Sequence, residues 1–408
     1  SMTVRVNKDS FNLREKLSEL ERPIGLKGSD LMKSETAQEA RDLVSAGRKN
    51  IIINGNMMIS QRFGYNNVQT VSNERHLDRF TVRDTTVGTL QVKQSPASGS
   101  PFDNVMELNC TGADTTVTSD YVRIQYLVEG HDLRGIDWGK ANSKDYLTLS
   151  FWVKTNAPGD YHVNIENTSS GYFPLMVKKY TIKNSNEWQK VVVTFPPPPG
   201  EYTFERGNGR GMAITWALAV GSSYNGATDG AWRTSGYHMS TSTQRNFMDT
   251  SGNNFYITGV QLERGKNATD FEHRPYGEEL ALCQRYYQST NRLQAISAPL
   301  GQYGDTAYTG WQYDSNAGSL RIRLPVEMRV GPTATVVGSA SASPGADGTI
   351  GAYGDNGWMT LSSITATAAT PLSIRINTGG MSGAGKDAFG LYFYGTYLTS
   401  TIKLDAEL

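Results

Sequence analysis

Aromatic residues surrounded by polar ones are the part of this sequence best suited to chemistry at a surface. Sugar rings present apolar C–H faces that stack on tryptophan and tyrosine, and neutral polar side chains can bond their hydroxyl groups. A stretch rich in Gly, Ser, Thr and Asn runs from 221 to 254, and the C-terminal part of the chain has similar surroundings. The candidate glycan-binding residues are Trp232, Tyr237, Trp311, Trp358 and Tyr394.

Structural roles are open for the same residues, because a long polar loop must be ordered by its few large side chains. For Trp232 and Tyr237 we favour loop anchoring, with ligand contact as the alternative. Trp216 is predicted to lie in the core, since it occupies the apolar face of an alternating segment. Three more tryptophans are expected to pack rather than to bind: Trp138, Trp152 and Trp188.

Other patterns of catalysis or ligand binding are incomplete. The segment from Gly380 to Lys386 matches the opening of a phosphate-binding loop, but Asp387 stands where Ser or Thr should bind magnesium. The five histidines are scattered and show no metal-binding spacing. A calcium site near Asp103 or Asp229 is an alternative, but no Asp-rich calcium-binding loop supports it. We therefore expect no metal site, no cofactor and no catalytic residue. Glycoside hydrolysis needs paired carboxylates, which sequence alone does not single out.

The composition argues against nucleic-acid and membrane partners. The 408 residues include 39 Lys and Arg and 39 Asp and Glu, so the formal net charge is zero. Duplex binding relies on clustered basic charge, and no apolar run is long enough to span a membrane or direct secretion. Cys110 and Cys283 form no Cys-x-x-Cys pair, and two free thiols suit a protein made in a reducing cytoplasm.

Alternating apolar and polar residues predict β-strands through most of the chain. The segment from 147 to 153 alternates clearly, so we predict a two-layer antiparallel sandwich with one face of each strand buried. Ile51 to Ile53 predicts a buried strand. The other segments with this pattern are Val191–Phe195, Ile214–Val220, Leu320–Leu324, Ser373–Ile376 and Phe389–Tyr394.

Residues 1–48 differ from the rest, because apolar residues recur there at helical spacing. A stripe from Val6 to Ile24 suits one short helix, while Thr36, Glu39 and Gly47 supply the start and end signals of a second. Two interpretations are open: helices packed on their own domain, or a segment that oligomerises or attaches to a particle.

The segment from Ile257 to Tyr287 is the most distinctive of the chain. Its sequence, ITGVQLERGKNATDFEHRPYGEELALCQRYY, predicts a half-buried strand, a turn at Gly265 and an extended arm up to Pro275. Residues 278–287 then predict a second strand, because aromatic residues near the end suit β-structure. No catalytic spacing is present, so we interpret the segment as a joint between two β domains.

This segment closely resembles one that recurs in tail-fibre, tail-spike and other adhesive surface proteins of tailed bacteriophages. In that family a jelly-roll sandwich similar to carbohydrate-binding modules ends in such a passage. The pieces NGNMMISQRFG (54–64) and LDRFTV (77–82) resemble the opening of the same domain, and the final LDAEL (404–408) is similar too. The resemblance covers about residues 31 to 287 and the last few residues.

The resemblance implies a mainly β fold with short N-terminal helices, an antiparallel jelly-roll β-sandwich and a second, C-terminal β-sandwich-like domain. The implied domains are a helical attachment or oligomerisation segment at 1–48, a carbohydrate-binding-like sandwich at 49–275 and a C-terminal β domain at 276–408. Phage fibres usually attach through this end, which favours the attachment interpretation of 1–48. A homotrimer is expected, held partly by the sandwich faces because the helical stripe is short.

The implied function is that of a non-enzymatic bacteriophage virion surface protein, a tail fibre or capsid-projecting knob, which adheres to a host-surface glycan. Its expected partners are that glycan and, through 1–48, other virion proteins; neither nucleic acid nor membrane insertion is expected. Such a protein is made in the host bacterial cytoplasm and resides on the virion surface. The alternatives are a purely structural decoration protein and a polysaccharide depolymerase. Catalytic phage spikes usually resemble long parallel β-helices, and no such repeat is present here.

Overall fold

A computed structural model describes residues 49–71, 75–169, 171–289, 308–313, 316–341, 348–354, 357–381, 388–394 and 401–408. The helices, attachment and oligomerisation expected of 1–48 lie outside these residues. The chain divides into two compact units, Ser1–Lys49 and Asn50–Leu408, and every element named below belongs to the second. The described residues are mainly β, as the alternating pattern predicts.

The N-terminal part of this unit consists of antiparallel strands. In chain order they are β1 (Gln69–Thr70), β2 (Arg75–Leu77), β3 (Phe80–Asp84), β4 (Thr89–Pro96), β5 (Asn104–Gly112), β6 (Tyr121–Glu129), β7 (Leu147–Thr155), β8 (Gly159–Asn167), β9 (Leu175–Ile182), β10 (Gln189–Phe195), β11 (Arg210–Val220), β12 (Trp232–Arg233) and β13 (Asn254–Arg264). Within the described residues, the first sheet has six strands in the order β1-β4-β5-β13-β7-β10. The second has seven, in the order β12-β9-β8-β11-β6-β3-β2.

The two sheets enclose a shared apolar core and form a β-sandwich. Along β7, Leu149, Phe151 and Val153 are buried in this core. Trp216 on β11 of the facing sheet is fully buried and packs edge-on against Phe151, with ring centroids 5.8 Å apart. Such an aromatic pair adds about 1 kcal/mol beyond the burial of apolar area. The prediction that Trp216 belongs to the core is confirmed.

A helix, α1 (Tyr276–Gln284), leads into the C-terminal strands. In chain order these are β14 (Tyr287–Ser289), β15 (Tyr308–Gln312), β16 (Ala317–Arg323), β17 (Thr333–Val337), β18 (Ser339–Ala340), β19 (Thr349–Gly354), β20 (Gly357–Met359), β21 (Ser363–Thr370), β22 (Ser373–Gly379), β23 (Ala388–Tyr394) and β24 (Thr401–Asp405). Within the described ranges they form a three-stranded sheet, β14-β24-β17, and an eight-stranded sheet, β18-β19-β23-β15-β16-β22-β21 with β20 beside β19. Leu320 and Leu404 share a second apolar core between these sheets. The expected domain boundaries remain predictions.

The strand predicted for 278–287 is wrong, because α1 occupies most of that segment. Pro275 precedes the helix, and Glu278 and Glu279 lie in its first turn. Proline is tolerated at a helix start and acidic side chains favour the positive end of the helix dipole, so the local sequence suits a helix.

The strand predicted for Ile51 to Ile53 is also wrong. Ile52 and Ile53 are buried as expected, but they belong to an irregular segment. The Ile53 amide donates to the Tyr126 hydroxyl at 2.9 Å, so a side chain satisfies this backbone group in place of a neighbouring strand.

Candidate functional site

The distinctive sequence pieces meet where the sandwich joins the C-terminal strands. β14 pairs with β24 at the end of the chain, with Tyr287 opposite Asp405. Arg62 donates to Asp405 at 2.9 Å, and its guanidinium lies 3.8 Å from the ring centroid of Tyr287. We call this cluster the arginine joint and define it by Arg62, Arg75, Arg79, Glu129, Arg285, Tyr286, Asp405 and Glu407.

Glu407 is the centre of the arginine joint. Its buried carboxylate contacts the guanidinium groups of Arg62, Arg75 and Arg79. Arg79 is buried too, and its guanidinium lies 3.5 Å from the ring centroid of Tyr286. Burial raises the pKa of Glu407, but the three guanidinium groups outweigh burial and hold that pKa below its usual range. The negative charge is therefore matched inside the protein.

A second ion pair of the joint links β6 to the residue after α1. Arg285 donates to both oxygens of Glu129, at 2.6 and 3.0 Å, and the Tyr286 hydroxyl donates to the same carboxylate at 2.5 Å. Two parallel bonds from one guanidinium fix the orientation of both groups. Because each carboxylate of the joint is matched by a guanidinium, we assign the joint a structural role.

The arm after β13 covers part of the outer face of the first sheet. Glu263 accepts hydrogen bonds from the amide and hydroxyl of Thr269, at 2.8 and 2.7 Å, and Phe271 packs edge-on against Phe102. Gln261 and Glu263 are consequently buried, although their alternation with apolar residues predicts exposure on one face. This arm, like the joint, serves to hold the architecture together.

The outer face of the second sheet carries a different set of aromatic and charged residues. Ile124 on β6 and Ile165 on β8 belong to the core. Their neighbours Arg123 and Glu166 point to the opposite side, because side chains alternate along a strand. We call this surface the tyrosine face and define it by Tyr121, Arg123, Glu166, Tyr172, Tyr224 and Tyr237.

The polar stretch 221–254 lies across this face. Asn164 on β8 donates to the Met239 carbonyl at 3.4 Å, and Gln244 donates to the Ala217 carbonyl on β11 at 3.1 Å. The stretch also contains β12 and a short 3-10 helix. It is therefore an ordered cover over the sheet, with its tyrosines placed above the strands.

Trp232 anchors part of this stretch. Its backbone pairs with Met176 on β9, and its ring packs edge-on against the buried Trp138, with centroids 5.4 Å apart. The half-buried side chain also packs against the core of the sandwich. This position suits anchoring, the role that the sequence favours, more than contact with a ligand.

Tyr237 lies between the two charged residues of the tyrosine face. Arg123 donates to the Tyr237 hydroxyl at 3.0 Å, and Tyr237 lies close enough to Glu166 to lower the pKa of its carboxyl group. Burial raises the pKa of Glu166 to about 7, although Arg123 and Tyr237 both lower it. Near pH 7 this carboxyl group is partly neutral, so it can donate as well as accept hydrogen bonds.

The tyrosine rings form a continuous row over this polar centre. Tyr121 packs against Tyr224, Tyr224 against Tyr237, and Tyr237 against Tyr172, with centroid distances of 5.7, 6.4 and 5.3 Å. Tyr172, at the end of the row, is 55% exposed. The row therefore presents aromatic surface to solvent beside polar side chains.

Some buried polar atoms on this face have no hydrogen-bond partner among the described residues. They are Glu166 Oε2, Asn164 Oδ1, Ser240 Oγ and Arg123 Nε. Leaving a buried polar group unpaired costs about 1–3 kcal/mol. Because these atoms are covered, the accessible part of the face is the end of the aromatic row at Tyr172.

Among the C-terminal candidates, Trp311 is well placed for a ligand. Its side chain is 57% exposed on the outer face of the eight-stranded sheet, and the nearby Tyr313 is 52% exposed. Trp358 and Tyr394 belong to β20 and β23, but their side chains lie outside the described part of the structure. The structure thus places Tyr237 and Trp311 on two separate surfaces.

The described ranges contain no group of three or more His, Cys, Asp or Glu side chains that could hold a metal ion. Asp229 is one of the two residues near which the sequence leaves a calcium site as an alternative. It accepts a hydrogen bond from the Lys179 amide at 2.8 Å. Cys110 and Cys283 are buried free thiols. In the same ranges, no helix is both long and apolar enough to span a membrane.

Sequence reasoning missed most of the tyrosine face. A usable signal is present on β8, DYHVNIEN, where polar and apolar residues alternate although the strand is buried throughout most of its length. Buried polar side chains on one face of such a strand indicate that something covers them. The sequence nominates Tyr237 but not its neighbours Tyr121, Arg123, Glu166, Tyr172 and Tyr224.

No protein-family model and no curated protein matches the chain. Among solved structures, the enzymatically active domain of bacteriophage CBA120 tailspike protein 4 is similar at 13% identity and a TM-score of 0.28, over 53% of this chain. The match spans only 21% of the tailspike chain. The family 11 carbohydrate-binding module of Clostridium thermocellum Lic26A-Cel5E is similar at 14% identity and a TM-score of 0.27, over 49% of this chain and 96% of that one.

A third similar structure is TmCBM61 in complex with β-1,4-galactotriose. Its identity is 10% and its TM-score 0.28, over 53% of this chain and all (100%) of that one. Identities and scores this low carry no argument about function. The geometry of the tyrosine face must carry any functional conclusion.

Proposed function

We propose that the chain is a non-enzymatic adhesin that binds a host-surface glycan through the tyrosine face. The observation that carries this proposal is the row of tyrosine rings that ends in the exposed ring of Tyr172. The exposed ring supplies apolar surface for the C–H faces of sugars, and the Tyr172 hydroxyl can donate to and accept from sugar hydroxyl groups. Sugar binding needs few charges, which fits a chain whose formal net charge is zero.

The adhesin is in this proposal a bacteriophage virion protein, either a tail fibre or a capsid-projecting knob. The support is that the pieces resembling phage surface proteins, at 54–64, 77–82, 257–287 and 404–408, all contribute side chains to the arginine joint. In this proposal the sandwich at 49–275 is a jelly roll that binds the glycan. Residues 1–48 attach the protein to other virion proteins and support a homotrimer. The protein is made in the host bacterial cytoplasm. Electron microscopy of virions labelled with an antibody to this chain tests that placement.

A polysaccharide depolymerase is the weaker alternative. Glycoside hydrolysis uses two carboxyl groups about 5 to 10 Å apart. On the tyrosine face the raised pKa of Glu166 is shaped by burial, Arg123 and Tyr237, and no second described carboxylate contributes to it. A binding role therefore fits the face better than a hydrolytic one.

An array of bacterial surface polysaccharides, probed with the full chain, tests the adhesion directly. We expect selective binding that Tyr172→Ala weakens. Tyr65→Ala is the matched control, because Tyr65 is 57% exposed and lies beside β4 of the other sheet. If no polysaccharide binds, the remaining interpretation is a structural decoration protein. Release of soluble sugar from host envelopes would identify a depolymerase.

A further inference from the structure

The outer face of the eight-stranded sheet holds an exposed tryptophan beside an exposed arginine. Trp311 on β15 lies opposite Ser319 on β16 and Ala388 on β23. Both neighbours are small, so the indole keeps 57% of its surface exposed. Arg321 follows Ser319 on the same face of β16, and diagonal neighbours across a strand pair lie about 7–8 Å apart.

Arg321 in turn lies directly opposite Arg375 on β22. Both side chains are exposed, and none of the ion pairs formed among the described residues involves either of them. Like charges directly opposite each other destabilise a sheet. Leu320 and Ile374 on the other face already supply the packing of these strands. The arginine pair therefore has no role in holding the sheet together.

A comparable pair on the tyrosine face is compensated. Arg83 and Arg123 also lie opposite each other, on β3 and β6. Their guanidinium groups lie 5.7 and 5.1 Å from the ring centroid of Tyr121, and Arg123 lowers the pKa of Glu166 by its charge. Among the described residues, the pair on the tyrosine face therefore has compensation that the pair beside Trp311 lacks.

We propose that Trp311, Arg321 and Arg375 form a binding site for an acidic polysaccharide. A sugar ring stacks on the indole, and sugar carboxylates pair with the two guanidinium groups, whose planar fork matches a carboxylate. Asn377 and Thr365 lie on β22 and β21, in the row that runs across the sheet from Trp311 through Ser319, and supply neutral groups for hydroxyls. This proposal rests on the glycan adhesion proposed above, and it adds a second face and an anionic ligand class.

Binding of polygalacturonic acid to the full chain, compared with neutral dextran, tests the site. The double variant Arg321→Gln/Arg375→Gln should bind polygalacturonic acid at least about tenfold more weakly, because two charge-assisted contacts are lost. Its melting temperature should not fall, since the substitutions remove repulsion between exposed side chains. The control Lys190→Gln/Arg210→Gln makes the same change of charge at exposed residues of the sandwich and should bind normally.

Trp311→Ala should also weaken binding, about fivefold, through loss of the stacking contact. Unchanged affinity in the double variant, equal affinity for dextran, or tighter binding to single-stranded DNA would each overturn the acidic-polysaccharide site. If Tyr172→Ala abolishes polygalacturonate binding and the arginine variant does not, the second site fails while the tyrosine face stands. If neither polygalacturonate nor any array polysaccharide binds, the glycan adhesion itself fails.

Discussion

The arginine joint and the tyrosine face use the same kinds of side chain in opposite ways. In the joint, three guanidinium groups surround Glu407 and lower its pKa although its side chain is buried. On the face, one arginine and one tyrosine act on Glu166, its pKa is raised, and one of its oxygens has no partner among the described residues. A fully matched buried carboxylate stabilises the fold, whereas a partly matched one lowers stability.

The pieces at 54–64, 77–82, 257–287 and 404–408 contribute side chains to the arginine joint and none to the tyrosine face. A buried ion network tolerates little change, because removal of one partner leaves the other charge buried and unpaired. The two regions therefore make separate predictions for stability and for binding.

The largest expected effect is the loss of the central charge of the joint. Glu407→Gln leaves three buried or half-buried guanidinium groups without their shared carboxylate, so we expect a loss of about 3–5 kcal/mol in the free energy of unfolding. Chemical denaturation measures it. Asp405→Asn is the control, because that side chain is 46% exposed and its pair with Arg62 should contribute about 1 kcal/mol or less. Equally small losses for both variants would show that Glu407 is not central.

Removal of the Glu166 carboxylate should raise the free energy of unfolding, whereas removal of the Glu407 carboxylate lowers it. Its folded pKa of about 7 exceeds the ordinary 4.5, so the unfolded state loses its proton first and stability falls as pH rises through this window. At about 1.4 kcal/mol per unit, the total is up to about 3 kcal/mol. Glu166→Gln should therefore be more stable than the unmodified chain at pH 8 and similar to it near pH 4. Melting temperatures of both proteins across this pH range measure the difference. A difference in melting temperature that does not change with pH would contradict the prediction.

Trp232→Ala distinguishes anchoring from binding within the cover of the tyrosine face. Truncation of a core tryptophan costs about 3–5 kcal/mol, and the half-buried Trp232 should cost about 2 kcal/mol. Urea unfolding measures that loss. An unchanged unfolding midpoint with abolished glycan binding would instead make Trp232 a ligand contact.

The smallest effect is expected for Tyr172→Ala. The exposed ring contributes little to the fold, so the unfolding free energy should change by less than about 0.5 kcal/mol. Loss of one stacking contact of about 1 kcal/mol should weaken glycan binding about fivefold. Titration of the best array ligand measures the change, and full affinity in this variant would remove Tyr172 from the site.

Local patterns in the sequence are sufficient to predict many strands of the sandwich. The alternation in β7, β10 and β11 predicts strands because a period of two reflects one buried face and can be recognised within a few residues. The sequence carries two competing signals around α1: the aromatic pair Tyr286 and Tyr287 favours a strand, and the acidic residues that follow Pro275 favour a helix. Competing local signals of this kind are resolved only by tertiary packing.

The candidate site was less accessible to sequence reasoning. Composition singles out Tyr237, but Arg123, which donates to its hydroxyl, lies 114 positions earlier in the chain. No local pattern states that the polar stretch crosses β8 and β11, so the partners of Tyr237 become visible only when the sheet is assembled. The exposure of Trp311 likewise depends on the small residues Ser319 and Ala388 on neighbouring strands.

Hydrogen–deuterium exchange of the full chain, with and without a saturating array glycan, tests the central claim most directly. If the tyrosine face binds the glycan, amide exchange should slow in the peptides around Tyr172 and from Tyr224 to Tyr237, while the peptides of the arginine joint stay unchanged. Unchanged exchange in the tyrosine-face peptides at saturating glycan would contradict the assignment of binding to this face.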